Sequence, residues 1–209
     1  MRVTLISVCF LGLISSSVLA RPVSYPDGWT VMQFNDADMN SLHLHYSPTR
    51  HYSIGYKGEY HREKQWQFHG GQLNYLVKRW NAPSEQANLY VKSGAGIAIG
   101  QNNSTQAAAF TGIAADWETR RYFLSYENRY TQAGDIDKHF NQEARLGIAP
   151  YIGDYGDYHT WLMVQLEHHP TNRDALTLTP LVRVFKGDTL IEAGLSNHGK
   201  MLFNSIIRF

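Results

Sequence analysis

The stretch Met201-Leu202-Phe203-Asn204-Ser205-Ile206-Ile207-Arg208-Phe209 has a period of two. Met201, Phe203, Ser205, Ile207 and Phe209 share one face. Leu202, Asn204, Ile206 and Arg208 share the other. A helix would need apolar residues three and four apart, so this is a strand with an aromatic, apolar face and a face that carries a charge.

The same grammar runs upstream. Tyr52, Ile54, Tyr56, Gly58 and Tyr60 alternate with Ser53, Gly55, Lys57 and Glu59. Leu89, Val91, Ser93, Ala95, Ile97 and Ile99 alternate with Tyr90, Lys92, Gly94, Gly96 and Ala98. Tyr122, Leu124, Tyr126 and Tyr130 oppose Ser125, Glu127 and Arg129, and Phe140, Ala144, Leu146 and Ile148 oppose Asn141, Glu143, Arg145 and Gly147. Turn residues separate the runs, as at Ser47-Pro48-Thr49-Arg50, Asn102-Asn103 and Lys186-Gly187-Asp188. The pattern predicts an all-β chain of consecutive antiparallel hairpins. Twelve strands are expected, at roughly 29–35, 40–46, 51–60, 66–80, 87–99, 107–117, 121–132, 139–152, 158–168, 176–185, 189–196 and 201–209, with ten as the fallback because the outermost four are short.

Residues 1–20 read differently. Arg2 precedes an apolar run from Val3 to Ile14, and Val18-Leu19-Ala20 places small residues where signal peptidase cuts. The run is too short to span a bilayer as a helix. Residues 1–20 are therefore expected to be a signal peptide, and 21–209 a single domain. Cys9 is the only cysteine and lies in the leader, so the domain would hold together without disulfides. Without Arg2 the basic and acidic residues balance at 18 each, and no basic stripe suggests nucleic acid.

Alternation does not say which face is inside. An outer-membrane barrel is apolar outside, whereas a lipocalin-like carrier is apolar inside. The polar face repeatedly offers charges at or near mid-strand: Lys57, Glu59, Lys92, Glu127, Arg129, Glu143, Arg145, Glu167, Arg183, Glu192 and Arg208. In a lumen these would pair into a network, since an unpaired buried charge is costly. The apolar face carries aromatics near strand ends, among them Tyr60, Trp80, Tyr122, Tyr158, Phe203 and Phe209, as a membrane interface requires.

The aromatic last residue after alternating apolar positions, with Phe203, Ile207 and Phe209 as its carriers, resembles the C-terminal signal of Gram-negative outer-membrane β-barrel proteins. The resemblance implies a transmembrane β-barrel in the cell envelope, porin-like, in contact with outer-membrane lipid. It also implies that the barrel-insertion machinery recognises the final strand and that both termini are periplasmic.

The function expected is a small non-enzymatic barrel with a narrow or salt-bridge-occluded lumen that handles small solutes or transition-metal ions. Glu127–Arg129 and Glu143–Arg145 fall at similar depth on adjacent strands, where they are expected to pair and close the lumen. No cofactor is required. His43 and His45, two apart on one strand face, together with His168 and His169, are candidate metal ligands, although no spacing matches a zinc motif. The alternative is that these histidines only form hydrogen bonds. Two other functions stay open. One is a lipid-modifying outer-membrane enzyme, with Ser196 and His198 as candidate nucleophile and base but no nucleophile elbow. The other is a periplasmic lipocalin-like carrier.

Overall fold

The computed structural model describes residues 22–154 and 156–209; the expected signal peptide lies outside them. Among the described residues there are twelve strands: β1 (Gly28–Asn35), β2 (Met39–Thr49), β3 (Tyr52–His61), β4 (Trp66–Ala82), β5 (Glu85–Ile99), β6 (Thr105–Thr119), β7 (Tyr122–Ala133), β8 (Asp137–Ile148), β9 (His159–His168), β10 (Leu176–Lys186), β11 (Thr189–Leu195) and β12 (Met201–Arg208). Each pairs antiparallel with its neighbours in sequence, and β1 pairs with β12, closing a barrel. Closure satisfies the edge groups that an open sheet would leave exposed to lipid. At the seam, Trp29 N donates to Phe209 O at 3.1 Å and Phe209 N to Trp29 O at 2.9 Å.

The start of β1 and the end of β12 lie together at one end of the barrel, the terminal end. The strand connections there are short except for the segment between Ile148 and His159. The tight β10–β11 turn uses Gly187 at φ 55°, where a side chain would be strained. On the wall, Gly70 sits opposite Gly96. A Cβ on Gly96 would come within 2.2 Å of His69 O and 2.5 Å of Gly70 Cα. Glycine here allows β4 and β5 to approach closely where the wall curves.

The two faces separate cleanly. Leu44, Ile54, Tyr56, Leu73, Val91, Ile113, Leu124, Leu146, Val164, Val182 and Phe203 are exposed on the outside, while Ser53, Lys57, Glu59, Gln72, Asn74, Gln165, Arg183, Glu192 and Asn204 are buried within. A water-soluble carrier needs the reverse arrangement, so the lipocalin-like alternative does not hold. This is the inside-out pattern of a barrel that crosses a membrane.

The interior is less uniformly polar than the alternation suggests. Near the terminal end Phe123, Trp161, Met163, Leu181, Phe185, Leu190 and Ile206 form one buried apolar cluster. Val23, Leu76, Tyr90 and Ala114 form a second. Toward the opposite end Trp66, Phe68, Ala108 and Phe110 form a third. These side chains fill cross-section that a wide porin leaves to water.

Candidate functional site: a charged lumen

Between the apolar clusters runs a belt of charge. All eleven charged residues expected on the lumen face point inward, and register determines how they meet. Glu127 sits directly opposite Glu143 on β8, and Glu143 opposite Glu167 on β9. Like charges facing each other across strands repel, so cations must reach this row from elsewhere on the wall.

Lys92 does so for Glu127 and Arg145 meets Glu143 from two residues along β8, while other ion pairs form chords across the lumen. Arg129 of β7 clamps Glu59 of β3 with both terminal nitrogens, at 2.5 and 2.8 Å, and lies 3.7 Å over the Phe110 ring. Lys57 is 3.4 Å from the same carboxylate. Lys92 of β5 pairs with Glu127 of β7. On the other side, Glu192 of β11 accepts from Arg183 Nε at 2.6 Å, from Arg145 Nη1 at 3.1 Å and from Asn204 Nδ2 at 2.7 Å. Arg145 Nε also lies 2.6 Å from Glu143. The expected pairing between neighbouring β7 and β8 is therefore corrected in detail. Register sets acid against acid there, and except for Arg145 with Glu143 on its own strand, these chords join strands that are not neighbours in the case of Arg129, Lys92 and Arg145.

These chords narrow the lumen to a cavity of about 280 Å³ that reaches from Pro22 and Asn74 near the terminal end to Asp38, Glu63 and Asn172 at the opposite mouth. Among the described residues its wall carries nine carboxylates (Asp36, Asp38, Glu63, Asp116, Glu127, Asp137, Glu143, Glu167 and Glu192) and six cationic side chains (Lys57, Lys64, Lys92, Arg129, Arg145 and Arg183). Carboxylates therefore outnumber cationic side chains on this wall by three.

Asp36, Asp38, Glu63 and Asp137 line the cavity toward the far mouth, where Lys64, Arg62, Arg173 and Lys200 stand close by. Asp137 accepts from Lys64 and Trp66 Nε1 and contacts His139 Nδ1 at 2.8 Å. His61 stacks on Trp66 with ring centroids 4.0 Å apart. Asp36, just beyond β1, accepts from Asp38 N and Met39 N, yet burial raises its carboxyl to about 6, with Asp38 and Glu143 pushing the same way. Burial lowers His169 in the β9–β10 loop, against the opposing attraction of Asp38. That favours the neutral imidazole.

The candidate metal ligands do not converge. His43 and His45 face inward with tilted rings 4.5 Å apart. His169 is at the mouth beside Asp38, 3.4 Å away. His168, next in sequence on a strand, faces the opposite way and meets the outward Gln142 at 2.9 Å. Among the described residues no group of three or more His, Cys, Asp or Glu is arranged to hold a metal. The period of two, which suggested the His43–His45 pair, also separates His168 from His169.

The candidate catalytic pair is occupied by a turn. Ser196 Oγ accepts from Lys200 N at 3.0 Å, and Gly199 N donates to Ser196 O. His198 Nε2 is 3.1 Å from Leu176 O. Each side chain is engaged with backbone, and neither is hydrogen-bonded to the other.

Sequence reasoning passed over several lumen residues. Asp116 and Glu118 on β6 point inward, with Glu118 buried; their place two apart on the face of Phe110 and Ala114 was the available signal. Asp36, Asp38 and Asp137 were hidden because they flank turns.

No protein-family model and no curated protein sequence matches the chain. Among solved structures, the KdgM porin in complex with disordered oligogalacturonate superposes with a TM-score of 0.52 at 8% identity, over 87% of this chain and 98% of that one. The KdgM porin alone gives 0.50, also at 8% identity, with the same coverage. At that identity the likeness speaks for the fold: the chain folds as a twelve-stranded porin-type barrel of the kind found in outer membranes.

Proposed function

We propose that the chain is an outer-membrane channel for small hydrophilic solutes that favours cationic, zwitterionic or neutral ones over anions. The observation that carries this reading is the cavity wall, with nine carboxylates against six cationic groups. Rings of one charge sign set ion preference in a narrow pore, where low-dielectric walls focus the field. The oligogalacturonate held by the KdgM porin is a string of carboxylates; an acidic wall disfavours that chemistry for this chain. In this reading residues 1–20 are removed on export, the terminal end faces the periplasm, and β12 with Phe203, Ile207 and Phe209 is the address read by the insertion machinery.

The test is a planar bilayer holding the purified protein across a KCl gradient. The reversal potential should have the sign of cation preference, and Asp38→Asn with Glu63→Gln, two carboxylates of the same wall, should move it toward zero. A wild-type reversal potential of the anion-selective sign would refute the reading.

A further inference from the structure

The segment before β1 does not run away from the barrel; it enters the lumen. Pro22 O accepts from Ser53 Oγ on β3 at 2.7 Å and from Asn74 Nδ2 on β4 at 3.3 Å. Asn74 is itself fixed, donating to Ser53 Oγ at 2.9 Å and accepting from Gln72 Nε2 at 2.6 Å. Ser24 N donates to Ser47 Oγ on β2 at 3.0 Å. Between these anchors Val23 is only 3% exposed, packed with Leu76 of β4, Tyr90 of β5 and Ala114 of β6. Three residues thus engage five successive strands, nearly half of the barrel's circumference.

The other half of the same end is occupied by Phe123, Trp161, Phe185 and their neighbours, nearly all side chains of the barrel wall. Wall residues are held by the hydrogen-bonded ladder on both flanks. Pro22–Ser24 belongs to no strand. It fills its half of the mouth through a few side-chain bonds and one buried valine. A local contact set of this size opens at far lower cost than any strand.

We infer that Pro22–Ser24 is a displaceable seal over the terminal-end mouth of the lumen: seated, it closes the passage; withdrawn, it leaves an opening lined by Ser53, Asn74, Leu76, Tyr90 and Ala114. This rests on the channel reading above.

Single-channel recording tests it. Val23→Asp places a charge among Leu76, Tyr90 and Ala114 and should unseat the segment, giving a larger unit conductance than wild type. Tyr25→Ala, at an exposed side chain outside the lumen, should reproduce the wild-type trace. Folding is checked by heat-modifiable migration. If Val23→Asp does not fold, Val23→Gly, which removes the apolar anchor without adding charge, takes its place and should show the same gain in conductance. A folded variant with the wild-type conductance overturns the seal and leaves the channel standing. A wild type and variant that both fail to conduct overturn both.

Discussion

Glu192 carries a heavily bonded carboxylate in the lumen. It is 1% exposed and receives Arg183, Arg145 and Asn204. Replacing it with alanine affects these partners unequally. Arg145 retains Glu143 at 2.6 Å, whereas Arg183, itself 4% exposed, is left with the Phe123 ring at 4.8 Å. One buried cation therefore loses its carboxylate, and breaking a buried pair in this way costs about 3–5 kcal/mol. At about 1.4 kcal/mol per decade, the unfolding equilibrium shifts by roughly two to three and a half decades. Solvent screening gives little relief at this burial. Guanidinium titration in phospholipid vesicles, followed by tryptophan fluorescence, reads the change. Glu192→Gln should lose less, because it keeps an acceptor for Arg183. The double variant Glu192→Leu with Arg183→Met removes both charges and should recover most of the loss. A Glu192→Ala protein within about 1 kcal/mol of wild type would refute the reasoning, because charged hydrogen bonds are worth about 1.5–3 kcal/mol each. So would a double variant worse than the two single variants added together.

Three further outcomes follow from other parts of the barrel. Val164→Arg puts a charge on the lipid face at the middle of β9 and should cost about 2–4 kcal/mol in the same titration. Gly96→Val drives a side chain into His69 O and the Gly70 backbone, and should reduce the yield of heat-modifiable, folded barrel on refolding. Asp36 is raised from its ordinary 3.8 to about 6, so the folded state binds its proton more tightly than the unfolded chain does. Its contribution to stability is complete below about 4 and is lost as pH rises through about 6; Asp36→Asn should remove that component of the stability–pH profile between pH 4 and 6.

The alternation of Tyr52-Ile54-Tyr56 against Ser53-Gly55-Lys57 was enough to read the strands, because a half-buried sheet must repeat every two residues. All twelve strands fall where the sequence placed them to within a few residues. The alternation alone left both senses of the barrel open, and the inside-out reading came from the resemblance of the closing strand, with Phe203, Ile207 and Phe209 on one face, to the C-terminal signal of outer-membrane barrels. Partner choice was not legible. Glu127 and Arg129 look like natural partners for Glu143 and Arg145, yet a register that places Glu127 on Glu143 is set by the turn at Ala133–Asp137, whose geometry the sequence does not specify. Nor was the apolar filling legible. Phe123, Trp161 and Phe185 share the inward face with charges, and only closure of the barrel brings them together. The excess of acid depends on Asp36, Asp38 and Asp137, turn-flanking residues with no periodicity to reveal them.

The central claim is that the alternating faces are apolar toward lipid and charged toward the lumen, and the tryptophans report it directly. Trp29 and Trp80 lie outside and are about half exposed, whereas Trp66 and Trp161 are buried inside. Single-tryptophan variants reconstituted in vesicles of brominated phospholipid should show strong quenching at Trp29 and Trp80 and little at Trp66 and Trp161. Strong quenching at Trp66 and Trp161 with none at Trp29 and Trp80 would contradict the account.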